Sequence, residues 1–388
     1  MVRLGEVCQL INGDRGKNYP SQTDINSNGD IPFINAGHIV DGDIDLSDMN
    51  YISFKKYAQL NSGKIQKNDI LYCLRGSLGK KAIVKNISTG VIASSLVIIR
   101  PNHKKINSEY LFYALESPTV QKQMIQANNG SSQPNLSAKS VSDYEFTLPN
   151  METQHMIVDK LRVVNKLASL RQKQLSKLDE LVKSRFIELF GLPNLNDKGW
   201  LKGVINDIGI CVAGATPSTQ VKEYWENGTI PWMSSGEVNK GRVFETDTKI
   251  TQLGYDNAST KLVPPKTVVL AMAGQGKTRG TAAITEIELC TNQSICSIVN
   301  NEKVNSEYLL YFLKLQYMEL RGASTNTDGR GGLNLKIIGN YPIMIPQIEL
   351  QNKFAAFVEQ TDKSKFEIQK SLEKLETLKK ALMQKYFG

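Results

Sequence analysis

Little in this 388-residue chain resembles the apparatus of an enzyme. Its three histidines, His38, His103 and His155, stand apart, with no second ligand at metal-binding spacing. There is no HExxH, no Pro-Asp dipeptide, no serine nucleophile elbow, and no NPPY- or DPPY-like motif of the kind amino-methyltransferases carry. Catalysis by this chain alone is therefore not expected. The five cysteines, Cys8, Cys73, Cys211, Cys290 and Cys296, are odd in number, scattered and free of any CxxC pair, which argues against a disulfide framework or a zinc site. Each reads as a small core residue. No run reaches the roughly eighteen apolar residues of a membrane span, and the start MVRLGEVCQLINGDRG lacks the apolar core and cleavage site of a signal peptide. These absences predict a soluble, cytoplasmic protein with no membrane partner. The net charge of +9 permits nucleic acid as a partner without requiring it.

What the chain does have is an internal duplication. INSEYLFYAL from Ile106 matches VNSEYLLYFL from Val304, and GDIPFINAGHI from Gly29 matches GTIPWMSSGEV from Gly228. PNLS around Asn135 matches GLNL around Asn334, and TLPNMETQHMIV from Thr147 matches MIPQIELQNKFA from Met344. Both copies end in Phe-Gly, at Phe190 and Gly191 and at Phe387 and Gly388. A shift this constant marks a tandem repeat of one architectural unit.

One stretch of the second copy invites a different reading. VVLAMAGQGKTRGTA, Val268 to Ala282, approaches the spelling of a phosphate-binding loop at 271–278. Such a loop must open directly into a helix whose first N–H groups hold the phosphates. Here the residues after Lys277 are β-branched and interrupted by Gly280. The first copy, ILYCLRGSLGKKAIV from Ile70, has no GK[ST] at all. The property common to both copies is a β-hairpin with a glycine-containing basic tip, presenting Arg75, Lys80 and Lys81 in one and Lys277 and Arg279 in the other.

Each copy then passes from a mixed region into a segment with helical periodicity. Ile157, Leu161, Val164, Leu175, Leu178 and Val182 fall on one seam at alternating steps of four and three, and Ile368, Leu372, Leu375 and Leu382 continue the pattern in the second copy. The segmentation is 1–149, a central helix 150–191, 192–348 and a terminal helix 349–388. The mixed regions carry short β-branched runs between turn signals, so the fold class is α+β and mostly antiparallel. The two helices are expected to pair as an antiparallel coiled coil about a pseudo-twofold axis.

The loop tips suit reading rather than reacting. NNGSSQPNLS from Asn128 and STNTDGRGGLNL from Ser324 occupy equivalent places and offer amides, hydroxyls and an arginine. Such groups make bidentate contacts to base edges, while lysine and arginine hold phosphates. The candidates for DNA contact in the first copy are Arg15, Lys17, Arg75, Ser77, Lys80, Lys81, Asn128, Asn129, Ser131 and Gln133. In the second they are Thr216, Ser218, Lys240, Arg242, Gln275, Lys277, Arg279, Asn326 and Arg330. No catalytic, metal or cofactor residue is nominated. Two alternatives stand beside DNA reading: a coiled-coil adaptor with no nucleic-acid role, and a nucleotide binder at 271–278.

Together these elements resemble the specificity subunit of type I restriction-modification systems. GATPSTQVKEYWENGTIPWMSSGEV, Gly214 to Val238, is similar to the opening of that family's target recognition domains, with G-x-TP, YW and G-x-IPW all present. DILYCLRGSLGKKAIV, PNLS and the LP…Q sequence leading into a long helix are also alike. The first copy departs from the pattern, with GDRGKNYPS where G-x-TP is expected. The resemblance implies two target recognition domains separated by a helical spacer, and binding to double-stranded DNA at a bipartite site. It further implies two modification subunits that carry S-adenosylmethionine and methylate adenine, leaving open whether restriction subunits join them. No cofactor is implied in this chain itself.

Overall fold

The computed structural model describes residues 1–128, 134–274, 276–323 and 332–388. The chain divides into two compact units, one made of Met1–Gln172 with Lys370–Gly388, the other of Lys173–Gln369. Two helices of 40 residues, Met151–Phe190 and Ile348–Phe387, follow the two mixed regions, and each gives one half to each unit. At 1.5 Å per residue each is about 60 Å long.

In the first unit, β1 (Cys8–Asn12), β2 (Ile70–Cys73), β3 (Lys81–Ile83) and β4 (Leu96–Pro101) form an antiparallel sheet in the order β1-β4-β2-β3. Side chains alternate between its faces. Tyr72, Val97 and Ile99 meet helix α1 (Ser108–Ala114) and the long helices on one side, while Leu71, Cys73 and Ile98 pack against Ile34 and Ile39 on the other. Burial on both faces explains why ILYC reads as an unbroken apolar run. A smaller sheet includes a parallel pairing of Phe33 with Val91. After α1 comes α2 (Pro118–Ala127), started by Pro118 and by the Ser117 hydroxyl accepting from the Val120 N–H.

The second unit repeats the plan. Its sheet runs β5-β9-β7-β8-β6, from β5 (Gly209–Ala213), β6 (Arg242–Val243), β7 (Val268–Ala271), β8 (Ala282–Thr285) and β9 (Ile295–Asn300). Only the β6–β8 pairing in this sheet is parallel. Helices α3 (Ser306–Leu315) and α4 (Tyr317–Ala323) follow.

The LP…Q sequence, which is IP…Q in the second copy, has a structural task that is duplicated atom for atom. Gln154 is fully buried; its Oε1 accepts from the Asn107 N–H at 2.8 Å and its Nε2 donates to the carbonyls of Lys105 and Pro149. Gln351 does the same with Asn305, Lys303 and Pro346. Each glutamine ties the start of a long helix to the turn preceding α1 or α3. The Tyr110 and Tyr308 hydroxyls add a second tie, donating to the carbonyls of Thr147 and Met344.

The seam is as expected through its middle: Ile157, Leu161, Val164, Val182 and Leu372 are buried, and Leu175, Leu178, Ile368, Leu375 and Leu382 are half-buried. Within the second unit the two helices run antiparallel, since Asp179 pairs with Lys365 while Phe186 lies 5.4 Å from Phe354. The seam drifts in the last turns. Arg185, Leu189 and Tyr386 continue the spacing, yet the residues buried there are Phe186 and Phe190, and Met383 and Phe387. The reason is a change of partner. Phe190 stacks edge-on against Tyr308 of α3 at 4.8 Å, and Phe387 lies 5.1 Å from Tyr110 of α1. Each long helix thus ends inside the core of the mixed region belonging to the other copy. Gly191, at φ 78, stops the first helix, and the Trp200 indole donates back to the Phe190 carbonyl at 2.9 Å.

Candidate nucleic-acid interface

In each unit, three chain segments leave the same end of the main sheet. In the first, β1 exits at Asn12 beside the start of β4 (Val97↔Asn12), and the β2–β3 hairpin turns at that same end (Leu96↔Cys73). A Cβ on Gly13 would sit 2.8 Å from the Ala93 carbonyl, so the strand can leave here only as glycine. Asp14 then accepts from the N–H groups of Arg15 and Asn61, both at 2.7 Å, and holds a turn from which Arg15 and Lys17 project, both exposed. The hairpin tip uses Gly76 and Gly79 at φ 77 and 75, in the left-handed region open to glycine. The third segment docks on the tip: the Leu136 N–H donates to the Leu74 carbonyl at 2.8 Å, and Arg75 Nε donates to Asn135 Oδ1 at 3.3 Å. Asn128 Oδ1 in turn accepts from the Asn135 N–H at 3.0 Å. The fold therefore gathers Arg15, Lys17, Arg75, Ser77, Lys80 and Asn128 at one end. Asn129, Ser131 and Gln133 lie outside the described residues.

Lys81 does not belong to this set. It is 8% exposed, its ammonium 3.0 Å from Glu116 and 4.4 Å above the Phe112 ring, and burial pulls its pKa down. The hairpin alternates, so of two adjacent lysines only one can face out. Lys80 points away from Lys81 and is half-buried, with its ammonium donating to the Ala36 carbonyl at 3.0 Å.

The second unit builds the same end with different pieces. β5 leaves through Gly214, where a Cβ would collide with the Thr291 carbonyl. The motif tryptophans explain themselves here: Trp232 Nε1 donates to the Ala215 carbonyl at 2.9 Å and Trp225 Nε1 to that of Ser218 at 3.0 Å. They stack edge to face at 5.1 Å, and the loop they brace presents Thr216, bonded to Gln293, and Ser218. In the first copy Phe33 replaces Trp232 and cannot donate. Tyr19 packs against it edge-on at 5.9 Å instead, which accommodates the departure GDRGKNYPS.

The β7–β8 hairpin carries Lys277, exposed, and Arg279, half-exposed. Its tip is held from behind by α4: Tyr317 donates to the Lys277 carbonyl at 2.9 Å, and Arg321 donates to the carbonyls of Gly276 and Arg279. Leu333 N–H to the Met272 carbonyl repeats the docking of Leu136. Sequence reading missed Gln293, Tyr317 and Arg321, because nothing in their spacing marks them as neighbours of the tip. No helix opens after Thr278; the chain turns directly into β8. The helical N–H cluster that a phosphate loop needs is thus missing, and the nucleotide reading falls. Gln275, Asn326 and Arg330 lie outside the described residues.

Two more candidates are committed elsewhere. Arg242 donates to Glu307 twice at 2.7 Å, to Glu286 at 2.8 Å and to Asp362 at 2.9 Å. Its partners follow β8 or come from α3 and the second long helix, at the opposite end of the sheet from the hairpin tip. Lys240 is paired with Asp247 at 2.7 Å and Glu237 at 2.9 Å. Both are corrected to structural roles, since a cation surrounded by carboxylates offers a phosphate little attraction.

The family model for the type I restriction modification DNA specificity domain matches residues 1–180 and again 197–380. The chain belongs to this family. It is similar over 377 residues, at 24% identity, to the MjaIX specificity subunit of Methanocaldococcus jannaschii, covering 92% of this chain and 86% of that one. The HindI specificity subunit of Haemophilus influenzae is 21% identical over 430 residues, covering 90% and 92%. Among solved structures, the S subunit of a type I system from M. genitalium superimposes with a TM-score of 0.61 at 16% identity, covering 100% of this chain and 95% of that one, which is an agreement of fold. This specificity chain is non-catalytic: it recognises DNA sequence, and partner subunits carry the chemistry. Among the described residues no helix is long and apolar enough to cross a membrane, and no cluster of three metal-ligating side chains occurs.

Proposed function

We propose that the specificity chain reads a bipartite duplex site, one part per unit, through the loops gathered at the hairpin end of each sheet. The observation that carries this is the duplicated assembly of strand exit, glycine-bent hairpin tip and a third segment docked on the tip through Leu136 in one unit and Leu333 in the other. Arg15, Lys17, Lys80 and Lys277 hold phosphates, while Arg75, Ser77, Asn128, Thr216, Ser218 and Arg279 lie where base edges would be met. The two parts of the site differ in sequence, because a tryptophan-braced Thr-Pro loop in one unit stands where Asp14 and Arg15 stand in the other. The long helices set the number of unread bases between them. Two modification subunits holding S-adenosylmethionine dock on the chain and methylate adenine, and restriction subunits add cleavage where a cell has them, all in the cytoplasm. A coiled-coil adaptor role alone leaves the twofold construction of these loops without a purpose.

The test is single-molecule sequencing with adenine-methylation calling, on DNA from cells expressing this chain with its neighbouring modification subunit and from cells lacking it. A bipartite methylated motif that depends on the chain is expected. No new motif, with the modification subunit active alongside another specificity chain, would defeat the proposal.

A further inference from the structure

The basic tip of the second unit differs from its counterpart in length and in what holds it. The strands below the two tips are in matching register, Val268 opposite Ile284 and Ile70 opposite Ile83. Yet six steps of chain separate Gly274 from Gly280, against three between Gly76 and Gly79. A longer tip has more backbone polar groups to satisfy, and here the carbonyls of Gly276, Lys277 and Arg279 turn back to α4. Arg321 Nη1 donates to Gly276 at 2.7 Å and to Arg279 at 3.2 Å, and the Tyr317 hydroxyl donates to Lys277 at 2.9 Å. Arg321 also donates to that hydroxyl at 3.1 Å, with its guanidinium 5.5 Å from the centre of the Tyr317 ring. A Cβ on Gly280 would meet Arg321 Cγ at 3.2 Å, so the stem of the arginine lies against the hairpin.

The helix that carries these two side chains is itself fixed. Gln316, just before it, is 4% exposed, donates to Asn194 Oδ1 at 3.0 Å and accepts from the Tyr341 hydroxyl at 2.9 Å, while Asn194 reaches Glu319 and Leu320 is fully buried. The tip is thus hung on a helix that cannot shift without disrupting a buried network. The first unit does not repeat this. At the shift that aligns the two SEYL sequences, Tyr317 falls on Thr119 and Arg321 on Gln123. The Thr119 hydroxyl donates to the Phe387 carbonyl, and Gln123 donates to the carbonyls of Thr119 and Glu145. What stands against Gly79 is Met124, whose sulfur a Cβ there would meet at 2.7 Å, a soft contact that donates no hydrogen bond. The short tip needs no more, whereas the long one is held by a charged fork.

We infer that Arg321 is a positioning residue for sequence recognition by the second unit: it fixes the backbone from which Lys277, Thr278 and Arg279 project, and so sets which bases are accepted without itself contacting DNA. This rests on the proposed function. A planar guanidinium can reach two carbonyls and a hydroxyl at once, which the point charge of a lysine cannot reproduce. The test uses the full chain assembled with its modification subunit, methylation calling for the motif, and binding over a salt series to duplexes altered at single bases in either part of the site. Arg321→Met, which keeps the stem and removes the fork, should lower discrimination by on the order of tenfold in one part of the site only, and not the part that Arg75→Ala relaxes. The salt slope should be unchanged, Arg321→Lys should not restore discrimination, and Tyr317→Phe should lower it in the same part by a smaller factor. A salt slope reduced by about one in Arg321→Met and restored in Arg321→Lys would show a direct phosphate contact and overturn the inference. Equal loss in both parts of the site, or a lowered melting temperature with discrimination intact, would reduce Arg321 to a purely structural residue, and an unaltered motif would leave it no part in recognition. In each of those cases the proposed function stands; absence of any motif with the native chain overturns both.

Discussion

Phe387→Ala removes the next-to-last residue of the chain, and its effect should appear far away in sequence, in the core of the first mixed region. The ring is 6% exposed and packs against Tyr110 at 5.1 Å among residues including Ile157, Leu161 and Met383. Truncating a buried phenylalanine costs about 3 to 5 kcal/mol through lost transfer energy and the cavity left behind. A position at the rim of the core, in the last helical turn, places this one near about 3 kcal/mol, part of it the aromatic pairing with Tyr110. At about 1.4 kcal/mol per factor of ten, that is on the order of a hundredfold in the opening equilibrium. Hydrogen exchange read by mass spectrometry resolves where the loss falls. Amides of Leu96–Pro101 and Ser108–Ala114 should exchange on the order of a hundred times faster, with Val268–Ala271 and Ile295–Asn300 little changed. Phe190→Ala should give the reverse pattern, because its ring lies against Tyr308. Equal loosening of both regions by either substitution, or none by Phe387→Ala, would refute the assignment of each helix end to the other copy's core.

Other outcomes follow from the same structure. Gln351→Ala strands the Asn305 N–H and the carbonyls of Lys303 and Pro346, and should lower stability by about 3 kcal/mol in denaturant titration, with Gln154→Ala similar. Arg75→Ala should cost about 1 to 3 kcal/mol in binding of the assembled complex to its cognate duplex and relax preference at one position; an equal loss on scrambled duplex would reassign Arg75 to a phosphate. Lys277→Ala should weaken all duplexes alike and reduce the salt slope by about one, with no ATP binding before or after. Lys81→Met should leave DNA affinity unchanged, since its ammonium is taken up by Glu116 and the Phe112 ring.

Most of the architecture was legible because the chain states it twice. The hairpins could be told from a phosphate loop by comparing Gly274 with Gly76, and the helices by a seam uninterrupted until Gly191. What could not be read was the direction of individual cations. Lys80 and Lys81 are equivalent on paper, and only strand alternation sends them opposite ways. Arg242 looked like a phosphate contact beside Lys240, but three carboxylates brought in by β8, α3 and the second long helix claim it. The seam failed at Phe186 and Met383 for a related reason: spacing predicts which face of a helix is apolar, and the packing partner there changes from a helix to a domain core. The tryptophans of YW and IPW were recognisable as a motif without their purpose being visible, which rests on two indole N–H bonds to backbone carbonyls.

The first unit is completed by Lys370–Gly388, after the whole of Lys173–Gln369 has been made. At translation rates of about 5 to 20 residues per second, the ribosome needs roughly 10 to 40 s to cover that stretch. Through that interval the first region is fully translated yet lacks Met383 and Phe387, and the apolar surface around Tyr110, Ile157 and Leu161 stays uncovered. The second region has its own missing pieces, Val182, Phe186 and Phe190, already waiting when Tyr308 and Phe354 emerge. Nascent chains should therefore finish the second region first, and the earlier-made one should be the longer client of chaperones.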